Sequence, residues 1–103
     1  MRFFSFHLMP YTQLSPDYDG PAWVTCPNEL YDPAVGRELY NTYLDELVYA
    51  EEVGFDGVCV NEHHQNAYGN MPSPNLIASI LARQTSRIRI AVVGKYVDLP
   101  DAY

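Results

Sequence analysis

Three ionisable side chains stand in a row after a short apolar segment. Glu62, His63 and His64 follow the apolar run at 58–60 after one intervening asparagine, and that run is typical of a parallel strand buried on both faces. α/β proteins bind ligands and carry out chemistry at the carboxyl ends of such strands. Imidazole is the side chain that titrates nearest to neutral pH. The sequence therefore predicts proton transfer by at least one of the two histidines, with hydrogen bonds to loop carbonyls as the simpler alternative.

A metal site is the competing interpretation of the same residues. His7, at the end of a predicted first strand, could join Glu62 and His63 if neighbouring strand ends meet. Zinc sites commonly use three protein ligands at set spacings, however, and adjacent histidines rarely bind one ion. Cys59 lies inside a strand instead of on an exposed turn, and there is no glycine-rich phosphate loop. Proton transfer is thus favoured, and no metal is expected.

Hydrophobic periodicity predicts the elements that must position these residues. Period-two and period-3.6 segments alternate along the chain, and they lie at 2–7 (strand), 35–53 (helix), 56–60 (strand), 74 onward (helix) and 87–93 (strand). Gly54 is expected to close the first helix in a left-handed conformation, and Ser73-Pro74 to cap and begin the second. This order predicts a parallel sheet with helical crossovers, an α/β fold.

The helices and loops supply further expectations. Each helix carries an apolar stripe, formed by Tyr40, Tyr43, Leu44, Leu47 and Val48 in the first and by Leu76, Ile77, Ile80 and Leu81 in the second. The proline-rich loop at 8–34 is unusually long, which is typical of functional loops. We expect it, with Trp23, to cover a substrate pocket, and residues 22–25 to add a short strand.

A second strand end offers another group of candidates. Gly94-Lys95 follows the predicted third strand, where the backbone can approach a ligand closely and the lysine can meet an anion. A turn glycine with a solvated lysine is the alternative. Asn66, Tyr68 and Asn70, in the histidine loop, would line a pocket or satisfy turns.

Length and composition limit the class of protein. With 103 residues and three strands, the chain is too short to close an eight-stranded barrel of roughly 250 residues. We therefore expect residues 1–103 to be one truncated α/β domain. A formal charge of −7 opposes nucleic-acid binding. The two cysteines do not suggest a disulfide framework, and the sequence has neither an apolar membrane span nor a signal peptide. These features predict a cytoplasmic protein.

Several of these segments together resemble one family. The Gly54–Val58 turn and strand followed by Asn61-Glu62-His63-His64 resembles the second-strand signature of luciferase-like flavin monooxygenases, the bacterial luciferase superfamily. The resemblance extends to residues 2–10, 72–75, 87–94 and 99–100, and so spans the whole chain.

The resemblance implies a (β/α)8 TIM barrel, of which this chain would be the N-terminal portion. It implies an oxidoreductase in which reduced FMN (FMNH2), supplied by a separate flavin reductase, activates O2 to oxidise a small organic substrate. His63 would transfer the proton and His64 would support it, with Asn61, Glu62, Gly94 and Lys95 near the flavin. Lys95 departs from the small or amide residue often found there.

The resemblance also leaves alternatives. The parts of the family fold that hold the flavin phosphate are absent from this sequence, so the chain alone is expected to be inactive, and the complete protein to form a homo-oligomer. A deazaflavin-dependent dehydrogenase of the same superfamily is the first alternative function. A non-catalytic flavin-binding or subunit-interface fragment is the second.

Overall fold

The chain forms a two-layered βαβαβ unit, in which a three-stranded sheet has both helices on one face. A computed structural model describes residues 1–20, 26–64 and 69–92. Its elements are β1 (Phe4–Phe6), α1 (Pro33–Glu52), β2 (Gly57–Val60), α2 (Pro74–Gln84) and β3 (Arg89–Val92), with a single 3-10 turn at Asn28–Leu30. The predicted alternation of strands and helices is confirmed, although the first and third strands are shorter than predicted.

The strands are parallel and follow chain order across the sheet. β2 is central and pairs with both neighbours, with Gly57 opposite Phe4 on one side and Arg89 on the other. α1 and α2 contact each other as well as the sheet, so both lie on one face. Sequential parallel strands with helices on a single side are the repeating arrangement of the (β/α)8 barrel. A doubly wound sheet would place helices on both faces.

The hydrophobic core lies between β2 and the two helices. Val58 and Val60 are fully buried, and Leu47 of α1 and Leu81 of α2 close over them. Alternate residues of a strand point to opposite faces, which accounts for the two valines sharing this side. The core therefore holds β2 in place immediately before Asn61.

Two expectations for α2 need correction. Ile77 and Leu81 are buried as predicted, but Leu76 is 66% and Ile80 39% exposed. Residues 77 and 81 form one row of the helix, whereas 76 and 80 form the adjacent row, which turns away from the sheet. Ser73 precedes the helix but its side chain makes no cap hydrogen bond. In α1 the cap is made by Asp32, whose carboxylate accepts a hydrogen bond from the Ala34 N–H at 2.8 Å.

The second face of the sheet carries apolar side chains without a covering layer among the described residues. Phe4 is 42% and Phe6 54% exposed. Cys59 lies inside a strand as predicted, but it is only half-buried because it alternates with the valines and so lies on this face. The Phe4 ring packs over Gly57, where a β-carbon would come within 2.1 Å of a ring carbon.

Side-chain carboxylates fix the amino-terminal edge of the sheet. Glu51, near the end of α1, accepts hydrogen bonds from the backbone N–H groups of residues 86, 87 and 88 at 3.0, 2.9 and 2.7 Å. In return, the Arg87 guanidinium donates to the Glu51 carbonyl and to the Phe55 carbonyl. Asp56 acts similarly on β1, since its carboxylate accepts the Phe3 N–H at 2.8 Å. These contacts set where β1 and β3 start relative to β2.

The reversal between α1 and β2 uses the predicted glycine. Gly54 has φ +96°, a left-handed conformation that disfavours residues with a β-carbon. The Gly54 N–H donates to the Glu51 carbonyl and the Phe55 N–H to the Ala50 carbonyl, which satisfies the helix end. No helix among the described residues has the length and apolar character needed to span a bilayer.

Replacing Leu47 by alanine should lower the free energy of unfolding by about 2–5 kcal/mol, because it leaves a cavity under β2. Leu76→Ala is the matched control, since Leu76 is also a helical leucine but is 66% exposed; it should change stability by less than about 0.5 kcal/mol. Urea unfolding measures both values. Equal losses for the two variants would contradict this placement of the core.

The Glu51 contacts predict a pH-dependent stability. Hydrogen bonds from the backbone of Arg87, Ile88 and Ser86 lower the pKa of Glu51 from 4.5 to about 2. A carboxyl whose folded pKa is lowered stabilises the fold fully above its unfolded pKa. Its contribution is then lost as the pH falls from 4.5 towards about 2.

We therefore expect Glu51→Gln to lower the urea midpoint at pH 7, and the difference from the unchanged chain to shrink as the pH approaches 2. Glu52→Gln, one residue along on an exposed side chain, is the control and should follow the unchanged chain at both pH values. A Glu51→Gln deficit that is the same at low and neutral pH would rule out the carboxylate as its origin.

Candidate active site at the carboxyl end of the sheet

The predicted site residues leave β2 where its pairing with β1 ends. The His7 N–H donates to the Cys59 carbonyl at 3.2 Å, which brings the end of β1 beside the end of β2. Asn61 to His64 follow directly. The chain segment 69–71 then returns to this edge, because the His63 N–H donates to the Met71 carbonyl at 2.7 Å.

Glu62 and His64 are hydrogen-bonded to each other. Nε2 of His64 lies 2.6 Å from Oε1 of Glu62, with the two side chains 62% and 24% exposed respectively. Residues two apart in extended backbone share a side, whereas His63 between them is directed elsewhere. The three neighbouring side chains thus divide into a Glu62–His64 pair and a separate His63.

His63 is half-buried and packs against a glycine. A β-carbon at Gly69 would lie 2.6 Å from Cγ and 2.7 Å from Nδ1 of His63, closer than atoms of this kind approach. Only glycine therefore allows the loop to come this close to the imidazole. Since the Nδ1 edge faces Gly69, Nε2 lies on the opposite edge of the ring. The backbone bond to Met71 and the contact with Gly69 together fix this orientation.

Two amide side chains at this edge have buried polar atoms without hydrogen-bond partners. Asn61 is 5% exposed, and neither its Oδ1 nor its Nδ2 has a hydrogen-bond partner within the described part of the chain. Nδ2 of Asn70 is likewise buried and unpartnered there. A buried polar group left without a hydrogen bond costs about 1–3 kcal/mol. Amides that carry this cost at the carboxyl end of a parallel strand fit a polar, planar ligand that would supply the missing bonds.

His7 has a structural role in this arrangement. Its Nδ1 accepts the Met9 N–H at 2.9 Å, so the ring proton is on Nε2, which donates to Oε2 of Glu46 at 2.8 Å. The ring also lies against Tyr43, with centroids 4.6 Å apart. The combination of His7 with Glu62 and His63 is not assembled, and no cluster of three metal-ligating side chains exists among residues 1–20, 26–64 and 69–92.

The loop after β1 is tied to both α1 and the histidine loop. Met9 is fully buried in a left-handed conformation, φ 51°, and its carbonyl accepts the Asn70 N–H at 2.6 Å. The Tyr43 hydroxyl donates to the Pro10 carbonyl at 2.6 Å. Burial, together with the nearby Glu46 carboxylate, raises the pKa of the Tyr43 hydroxyl, which keeps it protonated for this bond. The position of Asn70 thus depends on residues 7–10.

Several predicted site residues lie outside the described ranges. These are Asn66, Tyr68, Gly94, Lys95 and, in the long loop, the 22–25 strand with Trp23. Sequence reasoning missed Gly69 and Met9, which shape the site from both sides. The Gly69-Asn70 pair is a turn signal, but its contact with His63 depends on tertiary structure.

Comparison with known proteins identifies the family. Residues 21–93 match the family described as luciferase-like monooxygenase. The chain therefore belongs to the luciferase-like monooxygenase family, as the resemblance implied.

Individual relatives match over shorter stretches. The chain is 36% identical over 58 residues to the uncharacterized protein y4wF of Sinorhizobium fredii, covering 53% of this chain and 17% of that protein. It is 31% identical over 55 residues to 3,6-diketocamphane 1,6-monooxygenase of Pseudomonas putida, covering 53% of this chain and 15% of that enzyme.

A solved structure shows the same fold. The oxygenating constituent of 3,6-diketocamphane monooxygenase from Pseudomonas putida, a type II Baeyer–Villiger monooxygenase solved in complex with FMN, superposes with a TM-score of 0.59 at 23% identity. The match covers 89% of this chain and 20% of that one. The chain thus has the arrangement of the TIM barrel of that family and spans less than a fifth of the length of the curated relatives it matches.

Gly69→Ala should displace the His63 ring, because the new β-carbon would overlap Cγ, Nδ1 and Cβ of the histidine. We expect a stability loss of about 1–3 kcal/mol, the usual cost of overpacking. NMR of the histidine rings measures the displacement: the His63 signals should move, while those of His7, held by Glu46 and Met9, should not. Unchanged His63 signals would contradict the close contact.

Proposed function

We propose that the chain forms one side of the active site of an FMN-dependent monooxygenase, the side that carries the proton-transfer residue. The family match carries this proposal, because residues 21–93 include the whole strand-end segment from Asn61 to His64. The match to 3,6-diketocamphane monooxygenase of Pseudomonas putida supports it, because the curated relative is a monooxygenase by name and the oxygenating constituent was solved with FMN.

The residues at the strand end fit a flavin. The isoalloxazine ring is planar and has polar edges, and the buried amides of Asn61 and Asn70 lack the partners that such an edge supplies. Asn61 and Glu62 would lie beside the ring, with Gly94 and Lys95 contributing from the next strand end. When bound, reduced FMN supplies the electrons that activate O2.

His63 is the proposed proton-transfer residue. Its ring packs against Gly69 on the Nδ1 edge, and we assign the proton transfer to Nε2 on the opposite edge. His64 supports the site indirectly, since its Nε2 is engaged with Glu62. A fixed imidazole needs no reorientation before proton transfer, which is the advantage of a preorganised group.

The substrate and the electron donor are proposed from the relatives. The solved relative is described as an oxygenating constituent and as a Baeyer–Villiger enzyme. We propose accordingly that a separate flavin reductase supplies FMNH2 and that the substrate is a small carbonyl compound.

The test uses protein produced from its natural gene and kept intact. FMNH2 binding is followed anaerobically by fluorescence, and oxygen consumption is then measured with a flavin reductase and either a cyclic ketone or a long-chain aldehyde. Product formation matching oxygen uptake supports the monooxygenase. Binding without product would support a non-catalytic flavin-binding role, and no binding of FMN would overturn the proposal.

His63→Asn should lower the oxidation rate by about 10²–10⁴-fold, the usual contribution of a positioned acid or base. FMN affinity should stay within a few-fold, because asparagine retains a polar side chain of smaller size. His64→Asn is the comparison variant and should have the smaller effect. If the two variants lose rate equally, proton transfer is not specific to His63.

A further inference from the structure

The amides of Asn61 and Asn70 differ from the other asparagines described. Asn28, Asn41 and Asn75 are exposed, and Nδ2 of Asn41 donates to the Arg37 carbonyl at 3.1 Å. Asn61 is 5% exposed, and its Oδ1 and Nδ2, like Nδ2 of Asn70, are buried without a partner in the described residues. Bulk water does not reach these atoms and so cannot form hydrogen bonds with them. Another group must supply the missing bonds.

Their place in the fold points to a ligand. Asn61 follows β2 at the carboxyl end of the sheet, and by strand alternation it continues the row of Cys59, on the face away from the helices. Asn70 is brought to the same edge by its own N–H bond to the Met9 carbonyl and by the His63–Met71 bond beside it. The backbone of both residues therefore lies at the same edge as His63.

The unpartnered atoms define the chemistry of the group that would bind. Asn61 offers one acceptor and one donor, and Asn70 adds a second donor. A ligand edge with carbonyl oxygens on either side of an N–H complements such a set, and an imide has that pattern. On the proposed function, on which this inference rests, the flavin pyrimidine ring carries the imide.

We infer that Asn61, with Asn70, recognises the imide edge of the flavin. Asn61 Oδ1 accepts the imide N–H, and the two amide nitrogens donate to the flanking carbonyls. These are binding roles that orient the ring beside His63. The buried amides are then a cost of the ligand-free chain that binding removes.

A flavin analogue tests the inference without altering the protein. Methylation of the imide nitrogen of FMN removes the donor while keeping the ring. The unchanged chain should bind N3-methyl-FMN roughly tenfold or more weakly than FMN, the effect expected from losing a buried hydrogen bond. Asn61→Leu, similar in size but without polar atoms, should bind both flavins with the same reduced affinity.

The melting temperature of the ligand-free protein separates a binding role from a structural one. Asn61→Leu should melt at the same temperature as the unchanged chain or higher, because it removes an unpartnered buried amide. Asn75→Leu, on the exposed surface of α2, is the matched control and should leave FMN affinity and selectivity unchanged. Asn61→Ala provides a smaller replacement with the same expected loss of selectivity.

The outcomes distinguish this inference from the proposed function. If the unchanged chain binds FMN and N3-methyl-FMN equally, or if Asn61→Leu retains full selectivity, the imide assignment is wrong while flavin binding stands. A lower melting temperature for both Asn61 variants with unchanged selectivity would assign Asn61 to the fold. If the unchanged chain binds neither flavin, the inference and the proposed function fail together.

Discussion

The Glu51 carboxylate, bound to three consecutive backbone N–H groups, is the contact on which the geometry of the sheet depends. Parallel strands are not joined by a tight turn that could set their register. Contacts at the start of each strand must therefore position it. Glu51 fixes the start of β3 against the end of α1, and Arg87 returns the interaction to the helix. Asp56 does the same for β1 through Phe3. With both outer strands registered on β2, the strand ends at the opposite edge are also aligned, and Asn61 and His63 follow β2 there. The stabilising carboxylate contacts and the candidate site thus occupy opposite edges of one sheet, the arrangement found in barrel enzymes generally.

The candidate site is held by backbone bonds more than by side-chain packing. His63, Asn70 and Met9 are connected in series by hydrogen bonds to the carbonyls of Met71 and Met9 and to Nδ1 of His7. The Asn70–Met9 bond joins the loop after β2 to the loop after β1, so the two loops are positioned as a unit. The left-handed backbone of Met9 has an energetic cost for a residue with a β-carbon. Full burial of its side chain in the core offsets that cost. The candidate site residues are therefore supported by residues that lie outside the site.

The sequence predicted the order of elements well because periodicity is a local signal. Gly54, the buried β2 and the chemistry-bearing residues after it were all found from neighbouring residues. The contacts of Glu51 with residues 86–88 were not, because they join segments far apart in the chain. The exposure of Leu76 and Ile80 was missed because the apolar stripe of α2 is two rows of side chains wide. The sequence does not show which of the two rows faces the sheet. The separation of His63 from the Glu62–His64 pair followed from alternation, but the role of Gly69 required the tertiary contact.

Two thioethers lie directly beneath a site that is proposed to handle oxygen. Met9 and Met71 are both fully buried, whereas Met1 is fully accessible. Peroxide converts an accessible methionine to its sulfoxide, a polar group that a packed core does not tolerate. While the loops after β1 and β2 stay closed, only Met1 is open to this damage. Sulfoxide at Met9 or Met71 would consequently record how often these loops open, since local opening is what admits the oxidant. The burial of Met9 and Met71 thus has a second consequence: oxidation of either sulfur would report that the site had opened.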